Sequence, residues 1–152
     1  MLRMPALLAI AVSFSLAARA DDAPKPLPPS TEEQLVANLA SAKWVPAPTP
    51  GLPKGAQVSA IGVDPTTGGA TAWAKVPPGY HLPMHFHSHA EYTTVVSGKA
   101  TFTLDGKPHE VQTGSYLVIP AKVHHELVCA AGAECVLLTR RAGPTDYSFV
   151  AP

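Results

Sequence analysis

Proline makes up 17 of the 152 residues of this chain, roughly twice its usual share of about 5%. Because proline lacks a backbone N–H and breaks helices, this density favours short strands and turns over a helical fold. From residue 56 onward, short apolar segments alternate with turn sequences such as Asp105-Gly106. Strands are predicted at 57–63, 70–76, 91–96, 99–104, 109–111, 115–119, 124–128 and 135–140. Short strands at this spacing predict an all-β sandwich or barrel.

The N-terminal segment, residues 1–20, is typical of a secretory signal peptide. Arg3 precedes an apolar run, and Ala18-Arg19-Ala20 fits the small-x-small cleavage pattern. The run is about 14 residues long, too short for the roughly 20 residues that span a bilayer. We therefore expect a mature chain that starts at Asp21, is periplasmic or secreted, and carries no membrane anchor.

Residues 21–53 are expected to form a proline-rich linker that contains one short helix over 31–43. Ser30 and Glu33 fit a capping box at the start of this helix, and apolar residues follow at helical spacing. The remaining residues, 54–152, are expected to form a single β domain, since a chain of this length supports one core.

The charge and cysteine content argue against two kinds of activity. Basic and acidic residues balance at 11 each, so the chain has no basic surplus for binding nucleic acid. Cys129 and Cys135 do not form a C-x-x-C redox motif. They flank a short loop between two predicted strands, where they could form a disulfide or lie buried as two small apolar side chains.

All seven histidines lie between His81 and His125. Two blocks in and beside this region have regular spacing: Gly79-x5-His85-x-His87-x3-Glu91-x6-Gly98, and Gly114-x5-Pro120-x4-His125. These blocks resemble the two sequence motifs of the cupin superfamily. The resemblance implies a cupin double-stranded β-helix, or jelly-roll barrel, as the domain over 54–152.

The metal ligands that this resemblance implies are three histidines and one glutamate: His85, His87, Glu91 and His125. In a single strand, residues 85, 87, 89 and 91 would share one face, and His125 would come from a distant strand. Three imidazoles and one carboxylate suit one divalent transition metal, namely Fe, Mn, Ni, Zn, Cu or Co. His124 is an alternative to His125, because only one of two adjacent strand residues faces inward.

Two more histidines could belong to the pocket. His89 is expected behind the ligands or on a surface turn, and His81 at the barrel mouth or in an exposed loop. The chain departs from the second cupin motif at Lys122, where the family usually has glycine, and at Cys129, where it usually has asparagine. Neither departure affects the four implied ligands.

A looser likeness to the ChrR-type cupins, a group of small single-domain cupins, rests on four segments: Trp44-Val-Pro, Gly62-Val-Asp-Pro, Val76-Pro-Pro-Gly-Tyr and Gly143-Pro-Thr-Asp-Tyr. This group includes ligand-binding modules and metal-dependent dioxygenases. We expect a metal-dependent oxidoreductase of the dioxygenase type that acts on a small molecule.

Two alternatives to the dioxygenase come from other classes of protein. One is a non-catalytic periplasmic module that binds a metal or a small ligand, and the other is a redox-neutral isomerase or lyase, since fold alone does not fix function. Small cupins also commonly pair, so residues 44–63 could contribute to a homodimer and protect a sheet edge.

Overall fold

The computed structural model describes residues 35–151. The signal peptide expected over 1–20, the linker up to residue 30 and the first four residues of the expected helix lie outside the described residues. Within 35–43, helical structure is limited to a 3-10 turn at Leu39–Ser41. Leu35 and Val36 are exposed, so they bury too little apolar surface to stabilise a longer helix. Among residues 35–151, no helix has the length and apolar character needed to cross a membrane.

The strands form two antiparallel sheets. They are β1 (Val45–Pro46), β2 (Gln57–Val63), β3 (Ala70–Val76), β4 (His81–Phe86), β5 (Glu91–Ser97), β6 (Lys99–Leu104), β7 (Lys107–Gln112), β8 (Tyr116–Ile119), β9 (His125–Cys129), β10 (Cys135–Arg141) and β11 (Ser148–Phe149). One sheet has the order β1-β2-β3-β10-β5-β8 and the other has the order β11-β4-β9-β6-β7. The all-β architecture expected from the sequence is confirmed.

The sequence pattern does not predict β1, β4 and β11. Two of these have only two residues each, which is too short for an alternation pattern to be visible. In β4 the register with β9 shifts between Leu82 and His85, and both of these residues line the interior. An apolar residue and a histidine three positions apart on the same side do not fit simple period-two alternation.

The core lies between the two sheets, and a disulfide that joins the sheets is part of it. Val95, Ile119 and Leu127 are among its most deeply buried apolar residues. Cys129 and Cys135 are bridged, with a Cα–Cα distance of 6.0 Å. The bridge joins the end of β9 to the start of β10 across the short loop between them, and both cysteines belong to the core cluster.

Two turns near the motif residues require left-handed backbone. Gly98 has a φ of 92°, and a Cβ there would lie 2.6 Å from the carbonyl oxygen of Glu134, so only glycine fits. Lys122 has a φ of 67° although it carries a side chain, a conformation that costs a non-glycine residue roughly 1–2 kcal/mol. The Lys122 N–H donates to the carbonyl of His87 at 2.9 Å, so this strained turn connects directly to a motif histidine.

Candidate metal centre

Three histidines, which we call the histidine cluster, face one another inside the protein. His85 on β4 is paired with His125 at the start of the neighbouring strand β9. The centroids of these two rings lie 4.1 Å apart. His87 directly follows β4, and its ring lies 4.9 Å from His85 and 5.0 Å from His125. All three are buried, and their ligand nitrogens lie within 4.8 Å of one another. This cluster could hold one metal ion.

Backbone carbonyls orient each ring of the histidine cluster. Nδ1 of His85 donates to the carbonyl of Pro83 at 2.7 Å. In the same way, Nδ1 of His87 donates to the carbonyl of Asp146 at 2.5 Å, and Nδ1 of His125 donates to the carbonyl of Val123 at 2.9 Å. Donation from Nδ1 leaves Nε2 with a free lone pair, as is usual for a histidine that binds a metal. The Nε2 atoms of His87 and His125 are buried and make no hydrogen bond of normal geometry among the described residues, although the Glu91 carboxylate lies near both. Since buried polar atoms are normally paired, the donor set fits a metal ion.

Glu91 approaches the histidine cluster from the opposite sheet, at the start of β5. Its Oε2 atom lies 3.0 Å from Nε2 of His87 and 3.8 Å from Nε2 of His125. Oε1 accepts a 2.5 Å hydrogen bond from the Thr93 hydroxyl, and Oε2 also contacts the guanidinium of Arg141. Glu91 is therefore close enough to the cluster to share its cation, and it already shares its charge with an arginine.

Opposite effects set the ionisation of the groups at this centre. Burial, together with the nearby His125, lowers the pKa of His85 to about 3, so this imidazole is neutral and able to bind a metal at physiological pH. Burial by itself would raise the pKa of Glu91, but Arg141 and the neighbouring imidazoles hold it well below its usual range. The centre therefore presents a neutral imidazole at His85 and an ionised carboxylate at Glu91.

The expectation that residues 85, 87, 89 and 91 share one strand face is wrong. β4 ends at Phe86 and β5 begins at Glu91 in the other sheet, so residues 87–90 cross between the sheets. This crossing lets Glu91 reach the histidine cluster from the far side. It also places His89 outside the cluster, with its ring packed against Gly143.

The remaining histidines of the motif region lie on the surface. His81 is exposed on β4 and pairs with Glu126 at 2.9 Å, away from the interior. His124 is exposed, whereas His125 is buried, so the structure turns the second of these two adjacent residues inward. His109 is exposed on β7.

A cavity of about 310 Å³ lies against the histidine cluster. Most of its wall is apolar. The wall includes the small residues Ala60, Ala72 and Ala74 and the larger residues Phe102 and Leu137. The ionisable groups that line it are His85, Glu91, His125, Arg141, Tyr80 and Tyr147. An apolar cavity in which a few polar groups converge is typical of a small-molecule site.

Two of these polar residues are not predicted by the sequence reasoning. Arg141 ends β10 and is 5% exposed, and its Nη2 donates to the hydroxyl oxygen of Tyr147 at 3.3 Å. The Tyr147 ring stacks on His85 with centroids 5.2 Å apart. Alternation along β10 turns Leu137, Thr139 and then Arg141 to the cavity side, so a signal for the arginine exists in the sequence. Tyr147 follows β10 in a segment without regular structure, and no local pattern indicates where it packs.

Comparisons with known proteins agree with this fold. Residues 72–139 match the family model described as a cupin domain. SchB from Streptomyces halstedii is 37% identical over 81 residues, which cover 50% of this chain and 58% of SchB. Dimethylsulfoniopropionate lyase DddW from Ruegeria pomeroyi is 38% identical over 61 residues, which cover 40% of this chain and 39% of DddW. The chain thus spans less than two thirds of the length of either curated relative.

A solved structure resembles this one over most of both chains. The polyketide cyclase RemF from Streptomyces resistomycificus superposes with a TM-score of 0.64 at 21% identity, covering 79% of this chain and 87% of RemF. At that identity the likeness concerns the fold. Residues 72–139 thus match a cupin domain, and the two antiparallel sheets and the buried histidine cluster fit that fold.

Proposed function

We propose that this protein is a metal-dependent enzyme that carries out redox-neutral chemistry, of the lyase or cyclase type, on a small organic molecule. The observation that carries the proposal is the convergence of three buried imidazoles beside a largely apolar cavity, whose wall includes His85 and His125. His85, His87 and His125 would hold one divalent metal, and Glu91 would be the fourth ligand. Such a set leaves coordination positions free for a substrate.

The side chains around the cluster have distinct tasks in this chemistry. A divalent metal held there would act as a Lewis acid toward an oxygen atom of the substrate. Burial, partly offset by Arg141, raises the pKa of Tyr147, so its hydroxyl keeps its proton at neutral pH. That hydroxyl accepts a hydrogen bond from Arg141, which leaves its own proton available for donation to the substrate. The apolar wall excludes water and strengthens these interactions.

The names of two similar proteins support redox-neutral chemistry. DddW is a lyase and RemF is a cyclase. The second candidate is the dioxygenase expected from the sequence, which the donor set favours because mixed histidine and carboxylate sites with open positions suit iron. The two candidates differ in their need for oxygen and in the metals that support turnover.

The metal site is tested by elemental analysis of the full chain, purified without a metal-affinity tag. We expect about one equivalent of a divalent transition metal in the parent protein and little in the His85→Ala/His87→Ala double variant. The matched control is the His81→Ala/His109→Ala double variant, which removes two surface histidines and should keep the metal. Equal metal content in the parent and both variants would contradict the assignment.

The chemistry is tested by turnover of the zinc(II) and iron(II) forms, under argon and in air. The probes are dimethylsulfoniopropionate, an aromatic β-keto acid and a linear polyketone, with products identified by mass spectrometry. Turnover by the zinc form under argon supports the proposal, and Tyr147→Phe should then lower kcat by roughly 100-fold or more without loss of metal. Turnover by the iron form alone, with consumption of oxygen, would favour the dioxygenase. Stoichiometric metal without turnover of any probe would favour a binding module.

A further inference from the structure

The described residues that line the cavity carry only two permanently charged side chains. Among the described residues, Glu91 is the single carboxylate and Arg141 the single guanidinium or ammonium group in its wall. The two are in contact, both are buried, and their charges cancel. Without a cation in the histidine cluster, the cavity is therefore close to neutral.

A metal changes this balance because Glu91 has only one negative charge to share. Oε2 of Glu91 faces His87, His125 and Arg141 at once, so the same atom would serve both the metal and the arginine. A divalent ion together with Arg141 brings three positive charges, and Glu91 offsets one of them. Two uncompensated positive charges beside an apolar wall are costly, since little water can solvate them.

This proposal rests on the proposed function and names its substrate class. We propose that the metal-loaded cavity binds an organic carboxylate, whose charged end lies between the histidine cluster and Arg141 and whose apolar body lies against the alanine-rich wall. A guanidinium is well suited to a carboxylate because its planar set of donors can make two parallel hydrogen bonds. The volume of about 310 Å³ gives the apolar body room that an inorganic anion would leave unfilled.

The charge balance also predicts that the metal and the carboxylate bind cooperatively. The carboxylate neutralises the charge that the metal introduces, and the metal draws charge from Glu91 and so releases Arg141 to the carboxylate. By linkage, an anionic ligand must then tighten metal binding by the same factor by which the metal tightens the ligand. An uncharged ligand of the same shape lacks this coupling.

The test is a titration of the full chain with cobalt(II), followed by the visible absorption of the bound ion. The titration is repeated with saturating phenylacetate or with phenylacetamide, its uncharged counterpart, in 0.1 M sodium chloride. We expect phenylacetate to tighten cobalt binding about tenfold, a typical size for coupling between two sites, and to shift the cobalt spectrum. Phenylacetamide should do neither.

Adjacent arginines on β10 provide a matched pair of variants. Arg141→Gln should reduce the effect of phenylacetate to less than about threefold, and Arg141→Lys, which keeps the charge, should retain part of it. Arg140→Gln should behave as the parent protein, because Arg140 is exposed at the surface beside Asp64. If Arg141→Gln does not fold, the comparison of the two ligands in the parent protein and in Arg141→Lys still decides the question.

The outcomes separate this inference from the proposed function. If cobalt does not bind, or binds as well to the His85→Ala/His87→Ala variant, the proposed function fails. If cobalt binds to the histidine cluster but phenylacetamide tightens it as much as phenylacetate does, the carboxylate proposal is overturned. It is also overturned if folded Arg141→Gln shows the full effect of phenylacetate.

Discussion

Glu91 and Arg141 lie directly opposite each other on the paired strands β5 and β10 and form a buried ion pair beside the histidine cluster. Both side chains are about 7% exposed. Breaking such a pair by removing one partner leaves a buried charge without compensation, which is more costly than removing both charges. The pair therefore contributes both to the stability of the fold and to the electrostatics of the cavity.

In metal-free protein, Arg141→Met should lower the free energy of unfolding by about 3–5 kcal/mol, because Glu91 is left buried without its partner. The Glu91→Gln/Arg141→Met double variant should lose less than the sum of the two single variants, since it buries no unpaired charge. Chemical denaturation in EDTA measures all four proteins. Additive losses would contradict the coupling. The surface pair of Arg140 with Asp64 is the control, and Arg140→Gln should cost less than about 1 kcal/mol.

Thr93→Val should lower both the stability of the protein and the metal affinity of the centre without changing the shape of the side chain. The Thr93 side chain is fully buried and its hydroxyl donates to Oε1 of Glu91, whereas valine has a similar volume but no donor. A hydrogen bond to a charged group contributes roughly 1.5–3 kcal/mol, so a loss of stability of this order is expected. Loss of such a contact behind a metal ligand typically lowers metal affinity by about 10–100-fold.

Thr94→Val is the matched control for this substitution, because adjacent strand residues point to opposite faces of the sheet. Thr94→Val should leave the affinity for cobalt(II) unchanged when both variants are titrated with cobalt(II) and followed by visible absorption. Equal cobalt affinity of Thr93→Val and Thr94→Val would show that the hydroxyl does not support Glu91.

The disulfide between Cys129 and Cys135 should stabilise the folded protein by about 2 kcal/mol, the value expected for a closed loop of this short length. Chemical unfolding with and without reductant measures this difference. Because both cysteines are buried, reduction should take place mainly in the unfolded state. The Cys129→Ala/Cys135→Ala variant is the control, and its unfolding midpoint should not respond to reductant. An unchanged midpoint for the parent protein under reduction would contradict the prediction.

Lys122→Gly should raise stability by about 0.5–1 kcal/mol, because glycine adopts the left-handed backbone of this turn without the strain of a side chain. Thermal unfolding should show a higher Tm. Lys122→Ala separates strain from contacts, since it keeps the Cβ atom but removes the amine that reaches the Ser88 hydroxyl at 3.3 Å. Alanine should not raise the Tm. An equal increase for both variants would rule out backbone strain as the cause.

The sequence predicted much of this structure because the relevant information is local. Period-two alternation and turn residues place eight strands to within two residues at either end. The spacing of His85, His87 and His125 within the motifs identifies the histidine cluster, since the residue types determine the chemistry. The single-strand model for residues 85–91 failed because alternation carries no information on where a chain leaves one sheet for another.

What the sequence by itself determined is therefore the all-β class, most of the strands and the set of donor atoms. Only the tertiary structure decided how these donors meet: Glu91 reaches the cluster from the opposite sheet, and Arg141 and Tyr147 complete the cavity. The physical reason is that these contacts depend on the pairing of β5 with β10 and on the packing of the segment after β10. Such long-range contacts form through shape and charge across the core, which no local pattern of residues specifies.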